Sequence, residues 1–386
     1  MKYWQKIPIG DLGKIVTGKT PSTKNDTFWN GDIPFVTPAD LQKTKHVFST
    51  ERTVSQDGLT AVKGATLPTG AICVSCIGNL GYTAMTTHTS VSNQQINSII
   101  PNSDFDNDFV YYLMKSLWDE FKNLEGQSTT LSILNKTLFS KIEVLVPDKV
   151  TQQQIAQILS SLDDKIELNA QINHNLEEQA KVLLDKVSLS EKSIKVSKIV
   201  SFVNGFAFKS STYTQDGNYK VVTIKNVQDG KIDTAGADLV HEIPSKMKSE
   251  CILDIGDILL SLTGNVGRTG IVCEKNLLLN QRVAKIVPHE PILKAVIYFI
   301  FRRPEMKSAL EVIARGTAQS NLSPVETLNV GIPFDIESLV NLASCMSSFF
   351  EQIINNEMES QRLAQLRDTL LPKLMSGEID VSEVEV

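Results

Sequence analysis

Apolar positions recur every seven residues in two long stretches of this chain. Ile155, Leu162, Asn169, Leu176 and Leu183 fall seven apart. Leu342, Phe349, Asn356, Leu363 and Leu370 do the same, each 187 residues after its counterpart, and Ile166 recurs as Ile353 on the same side. Such a repeat places one stripe of a helix along a seam on a second helix. Both stretches are rich in Gln, Glu, Leu and Ala, and neither holds a proline before Pro372. The pattern predicts two long paired helices, the first spanning roughly 55 Å at ~1.5 Å per residue. Asparagine takes the middle position of both series. A buried asparagine on a seam costs stability and fixes register. In antiparallel helices related by a pseudo-two-fold axis the two middles meet, so Asn169 and Asn356 are expected to lie close together.

Outside these stretches the pattern is mixed. Strand-like runs are AICVSCIG (71–78), residues 196–203, YKVVTIKNV (219–227), GDILLSLTG (256–264) and VAKIVP (283–288). Helical runs cover 109–123 and 293–313, the latter broken near Pro304. Gly and Asn cluster between strands, where turns need them. The fold class is therefore mixed α/β.

The 187-residue echo extends beyond the heptads. TGAICVSCIGNLGYTA (69–84) aligns with IGDILLSLTGNVGRTG (255–270): Gly70, Ser75, Gly78, Asn79 and Gly81 recur as Gly256, Ser261, Gly264, Asn265 and Gly267. SNQQINSIIP (92–101) matches LNQRVAKIVP (279–288), and GQSTTLS (126–132) resembles GTAQSNLS (316–323). Several blocks in one order at nearly one offset mean an internal duplication. The chain divides into a globular domain (1–149), a helix (150–187), a second domain (188–335) and a second helix with its tail (336–386).

Composition changes this picture little. Apolar residues make up 41% and charged residues 21%, as in ordinary globular proteins. No apolar run reaches the roughly 18 residues of a membrane helix, and the N-terminal segment lacks a signal-peptide core. A cytoplasmic protein is expected. Five cysteines without regular spacing point to reduced thiols. Cys73 and Cys76 form a C-x-x-C, but three positions apart on a strand point to opposite faces, so no metal site is expected.

The net charge of −6 argues against a nucleic-acid binder until its distribution is considered. Residues 1–149 carry 14 basic and 14 acidic side chains, and 188–335 carry 18 and 15. The acidic excess lies in 150–187 (net −3) and 336–386 (net −6). Local field matters more than net charge.

One motif looks catalytic. Residues 13–20, GKIVTGKT, match the phosphate loop G-x-x-x-x-G-K-[ST]. That loop works by leading a strand into a helix N-terminus. Here Pro21 and the loop-like STKNDTFWNGD follow, and the second copy, FVNGFAFKSS, lacks the Gly-Lys pair. No G-x-S-x-G, H-E-x-x-H or methyl-transfer motif is present, and five histidines are scattered. What remains is polar and basic loop chemistry, the residue types that bond phosphates and base edges. The candidates are Lys14, Lys19, Thr20, Ser22, Lys24, Asn79, Thr83, Gln127 and Thr129 in the first half. In the second they are Lys209, Ser210, Asn265, Arg268, Thr269, Arg315, Gln319 and Asn321.

The segment GKTPSTKNDTFWNGDIPFVTPADL (18–41) resembles the opening of a target recognition domain of type I restriction–modification specificity subunits. The loop 316–323, the IPF that follows and LRDTLLPKLMSGEI (366–379) are similarly typical, and the resemblance covers essentially the whole chain. It implies two target recognition domains, each reading half of a split sequence in double-stranded DNA, joined by antiparallel helices that set the spacer. It further implies two methyltransferase subunits docked mainly on those helices, and restriction/translocase subunits beyond them. S-adenosylmethionine, ATP and Mg would belong to those partners, with no cofactor in this chain. The stretch 20–29 has no clear equivalent in the second half, where KSSTYTQDGN (209–218) is shorter and lacks the tryptophan. Competing readings are an orphan or swap-partner subunit serving only a methylase, a nucleotide-dependent enzyme using 13–20, and an adaptor that binds no DNA.

Overall fold

A computed structural model describes residues 4–42, 44–126, 133–188, 193–315 and 321–381. The chain forms two compact units, Met1–Glu167 with Arg362–Val386, and Leu168–Gln361. Both boundaries fall inside long helices, Lys149–Val187 and Ile336–Met375, of 39 and 40 residues.

Among the described residues each unit contains three sheets. In the first, a five-stranded sheet runs in the order Gly13–Thr17, Ile96–Pro101, Ile72–Ser75, Thr83–Thr86, His46–Val47. A four-stranded sheet runs Thr53–Val54, Trp29–Val36, Ser90–Ser92, Thr66–Leu67, and Gln5–Pro8 pairs with Glu143–Val146. The second unit repeats all three. Its five strands are Val200–Asn204, Val283–Pro288, Ile258–Ser261, Thr269–Ile271 and Gly230–Lys231. Its four are Asp238–Val240, Tyr219–Val222, Leu277–Leu279 and Ile252–Leu253, and Ile194–Lys195 pairs with Gly331–Ile332. The two parallel pairings of each unit also correspond: Trp29–Val36 with Ser90–Ser92 matches Tyr219–Val222 with Leu277–Leu279. His46–Val47 with Thr83–Thr86 matches Gly230–Lys231 with Thr269–Ile271. The duplication is thus a duplication of topology.

Several sequence expectations need correction. Residues 196–203 are not one strand: Val196–Lys198 is a 3₁₀ turn, and Val196, Ile199 and Val200 are all buried without alternation. The strand expected over 219–227 stops at Val222, because Asn226 Oδ1 accepts from both the Thr223 N–H and its hydroxyl at 2.8 Å and closes a turn. Thr37 and Asp40 build the same turn in the first unit. This pair aligns the copies where the sequence showed no match, immediately after the strand that follows 20–29.

The helical seams are wider than a heptad stripe. In the first unit Ile155 and Leu162 are buried together with Ala156, Ile158 and Leu159, and Leu370 is partly buried beside Leu371 and Leu374. In the second unit Leu176, Leu183, Leu342 and Phe349 are only partly buried. The core positions there are Leu339, Ala343, Met346, Phe350 and Ile353. Leu363 is also only partly covered. The cause is that each long helix packs on its domain as well as on the other helix: Phe350 lies 5.2 Å from the ring of Tyr298, on helix Lys294–Arg302. The buried face therefore turns about one residue from the predicted series.

Ionic contacts tie each domain to its helices. Asp163, buried, accepts from Tyr112 (2.7 Å) and pairs with Arg367 (2.5 Å). Glu177 accepts from Tyr298 (2.8 Å) and from Arg302 (2.7 Å). Burial and then the charge of Asp163 push the Tyr112 phenol far above its ordinary range, and burial and Glu177 do the same to Tyr298. Both phenols therefore stay protonated as donors. Asn169, fully buried, donates to the main-chain oxygen of Asn356.

Candidate nucleic-acid interface

Strand register decides where the candidate loops go. In the first unit Thr17 pairs with Asn97, and Ser75 pairs with Ile96. The loop leaving Thr17, the turn leaving Ser75 and the segment entering Ile96 therefore meet at one end of the sheet. Backbone bonds join them: Lys19 N–H donates to Ser92 O (2.8 Å), and Cys76 N–H to Gln95 O (2.7 Å). The second unit repeats this, with Asn204 opposite Ala284 and Ser261 opposite Val283. Phe206 N–H donates to Leu279 O (2.8 Å), and Leu262 N–H to Arg282 O (3.1 Å).

The same ends receive Leu134 and Leu322, which follow the helices Trp118–Gly126 and Pro304–Arg315 in the chain. Leu134 N–H donates to Cys76 O (2.8 Å), and Leu322 N–H to Leu262 O (2.7 Å). Gln127, Thr129 and Gln319 lie outside the described residues.

Most candidates converge here. Lys19, Ser22 and Lys24 are exposed, and the Thr20 hydroxyl donates to Gln94 Oε1 (2.6 Å). Asn79 is exposed on the turn after Ser75. Lys209 and Ser210 are exposed on the loop after Asn204. Asn265, Arg268 and Arg315 line one concave surface together with Lys307. Asn321 is half-buried beside Leu322. Three candidates are not displayed at the loop ends. Lys14 is exposed but sits on the edge strand three residues before Thr17, roughly 10 Å from the loop end. Thr83 and Thr269 are buried strand residues whose hydroxyls donate to Gly81 O and Gly267 O of their own turns.

Gln94, Tyr82, Trp118, Arg282 and Lys307 stand beside these loops without having been legible as candidates. Gln94 follows the repeated Asn93 directly and Arg282 follows the repeated Asn280-Gln281 pair, which was the available signal. Trp118 and Lys307 come from helices, and only folding carries them to the turn.

Two other motifs resolve structurally. Residues 13–17 form an edge strand, and the chain after Lys19 runs as a loop into the 3₁₀ turn Asp26–Phe28. A Cβ at Gly18 would lie 1.9 Å from Asn93 O, so this glycine permits close strand packing. Cys73 packs in a different core cluster from Cys76. Among the described residues no group of three or more His, Cys, Asp or Glu could hold a metal ion, and no helix is long and apolar enough to cross a membrane.

A duplicated mixed α/β domain that gathers polar loops at one sheet end defines a class of binding subunit. The family profile described as "Type I restriction modification DNA specificity domain" matches residues 1–178 and 191–367. The chain belongs to this family, and its role is DNA sequence recognition within a restriction–modification complex. It is 28% identical to the type I restriction enzyme MjaIX specificity subunit of Methanocaldococcus jannaschii, over 99% of this chain and 95% of that one. The HindI specificity subunit of Haemophilus influenzae is 34% identical over 48% of this chain and 40% of its own. In fold the chain resembles the crystal structure of the type I restriction–modification S subunit from M. genitalium, with a TM-score of 0.56, 17% identity, and coverage of 97% and 96%.

Proposed function

We propose that each unit reads one half of a bipartite target, and that the chain itself carries no catalytic group. The observation that supports this is the repeated sheet end: one scaffold, built twice, presents different side chains at matching positions. Unequal half-sites call for that arrangement. The basic side chains Lys19 and Lys24 in one unit, and Lys209, Arg268, Arg282 and Arg315 in the other, suit phosphate and base contacts. The acidic long helices suit protein partners better than phosphate. On this reading two methyltransferase subunits dock along them, restriction/translocase subunits join beyond, and S-adenosylmethionine, ATP and Mg are bound by those partners. The complex works in the cytoplasm, where its DNA is.

The test is methylation mapping of host DNA with and without this gene. Loss of one split motif, with a fixed unspecified spacer, is expected. An unchanged methylation pattern in a strain that expresses the partner methyltransferase would overturn the proposal.

A further inference from the structure

The turn after the central strand is built identically in both units. Ser75, fully buried, donates its hydroxyl to Asn79 O (2.6 Å) and accepts from Tyr82 N–H (2.9 Å). Ser261, also fully buried, donates to Asn265 O and accepts from Arg268 N–H (3.1 Å). Gly81 N–H bonds Ser75 O (3.0 Å) and Gly267 N–H bonds Ser261 O (3.1 Å). Gly81 (φ 91°) and Gly267 (φ 80°) adopt left-handed backbone that other residues avoid. A helix residue caps each glycine, Phe121 in one copy and Leu310 in the other, and Trp118 and Lys307 stand three positions before them.

The serine, both glycines, the asparagine and their hydrogen bonds are kept, and what the turn displays is changed. The first residue after the second glycine is Tyr82 in one copy and Arg268 in the other. Beside it stands Trp118 or Lys307. Tyr82 and Trp118 form an aromatic face, with ring centroids 5.3 Å apart and Lys122 Nζ 4.6 Å from the Trp118 ring. Arg268 is instead held by one nitrogen, its Nη1 donating to Gln228 Oε1 at 2.7 Å. Lys307 pairs with Asp229 at 2.8 Å. A duplicated reader needs an invariant platform and a variable tip, and this is the pattern at the turn.

We infer that residues 82 and 268 are specificity-determining positions, and that Arg268, steadied by Gln228, reads a guanine in the half-site of the second unit. The inference rests on the DNA-reading role proposed above. A guanidinium fixed on one side presents its remaining donors as a fork, the geometry that matches guanine O6 and N7. Tyr82 offers no such fork, so the first half-site has no guanine preference from this position.

The experiment is methylation-motif mapping of the assembled complex carrying Arg268→Ala, Arg268→Lys or Gln228→Ala. With Arg268→Ala and Arg268→Lys, one guanine of one half-site should relax, its preference falling roughly 5- to 150-fold, with the other half-site unchanged. Lysine keeps the charge and loses the fork, so it separates base reading from phosphate contact and decides the matter should the alanine variant fail to fold. Gln228→Ala should relax the same guanine more weakly. An unchanged motif, a uniform loss over all sequences, or a change in the other half-site overturns the inference. If the parent complex itself methylates no split motif, the broader proposal fails instead.

Discussion

Asn169 donates its side-chain amide to the main-chain oxygen of Asn356, 3.3 Å away and 187 residues later in the chain. The same amide reaches Glu359 at 2.8 Å, while Asn356 donates to Asn173 at 2.8 Å. Numbers rise along one helix as they fall along the other, so the two run antiparallel through this contact. The Asn169 Oδ1 is buried and has no hydrogen-bond partner among the described residues. A buried unpaired oxygen costs about 1–3 kcal/mol, so this position favours register over stability. Replacing both asparagines with leucine is expected to raise unfolding stability by that order and to loosen register. Chemical denaturation reads the first effect, and hydrogen exchange of the helix amides around positions 169 and 356 reads the second. A double variant no more stable than the parent, with unchanged exchange, removes the register role.

The contact between Asp163 and Arg367 tests a different kind of coupling. The two side chains are 7% and 14% exposed. Arg367→Met leaves Asp163 buried, with Tyr112 as its remaining hydrogen-bond donor. Breaking one side of a buried pair costs about 3–5 kcal/mol. Removing both, as Asp163→Leu with Arg367→Met, should recover most of the loss. A double-mutant cycle by urea unfolding measures this. Additive single effects would mean that the pair is not coupled.

These contacts also show what the sequence could and could not reveal. The two asparagines were legible because each sits at the centre of a periodic series. The Ser75 and Ser261 turns were legible because their glycines recur at one offset. The ion pairs were not, because the duplication does not preserve them. At an offset of 187, Asp163 corresponds to Phe350, Arg367 to Ala180 and Glu177 to Ala364. Each unit therefore joins a helix carboxylate to a tyrosine, Tyr112 or Tyr298, and to an arginine, but sets the charged pair at positions of its own. The Thr37–Asp40 and Thr223–Asn226 turns were hidden by an Asp-to-Asn change behind loops of unequal length. The placement of Lys14 was not legible because basic character says nothing of position along a strand, and that of Thr83 and Thr269 because the sequence does not show that their hydroxyls bond the backbone.

The thiols give a pH dependence with a definite sign. Burial raises Cys73 and Cys76 to about 11, and burial with the nearby Glu357 charge raises Cys273 to about 12. A raised thiol pKa favours the folded state below the unfolded value and loses that contribution as pH climbs through the folded value. Stability should therefore decline between about pH 8.5, the unfolded thiol value, and the folded values near 11 to 12. At pH 8, Cys345 is exposed and should react first with an alkylating reagent, while Cys73, Cys76 and Cys273 wait for unfolding. Mass spectrometry of timed labelling reads the order. Rapid labelling of Cys73 in the native protein would contradict its burial.

The duplication carries the most direct functional prediction. Each unit has its own sheets, its own hydrophobic clusters and its own set of loops at one sheet end. The side chains at those ends are drawn from one unit alone: Lys19, Thr20 and Gln94 in the first, Lys209, Arg268 and Arg282 in the second. If base reading resides there, the two half-sites are specified independently. Exchanging residues 1–149 for the corresponding domain of another family member should then change one half of the methylated motif and leave the other half and the spacer intact. Exchanging 188–335 should do the reverse. Methylome sequencing of strains carrying each chimera measures both outcomes at once. A chimera whose motif changes in both halves would mean that the loops of one unit help to read the other's bases, and the modular account would have to be abandoned.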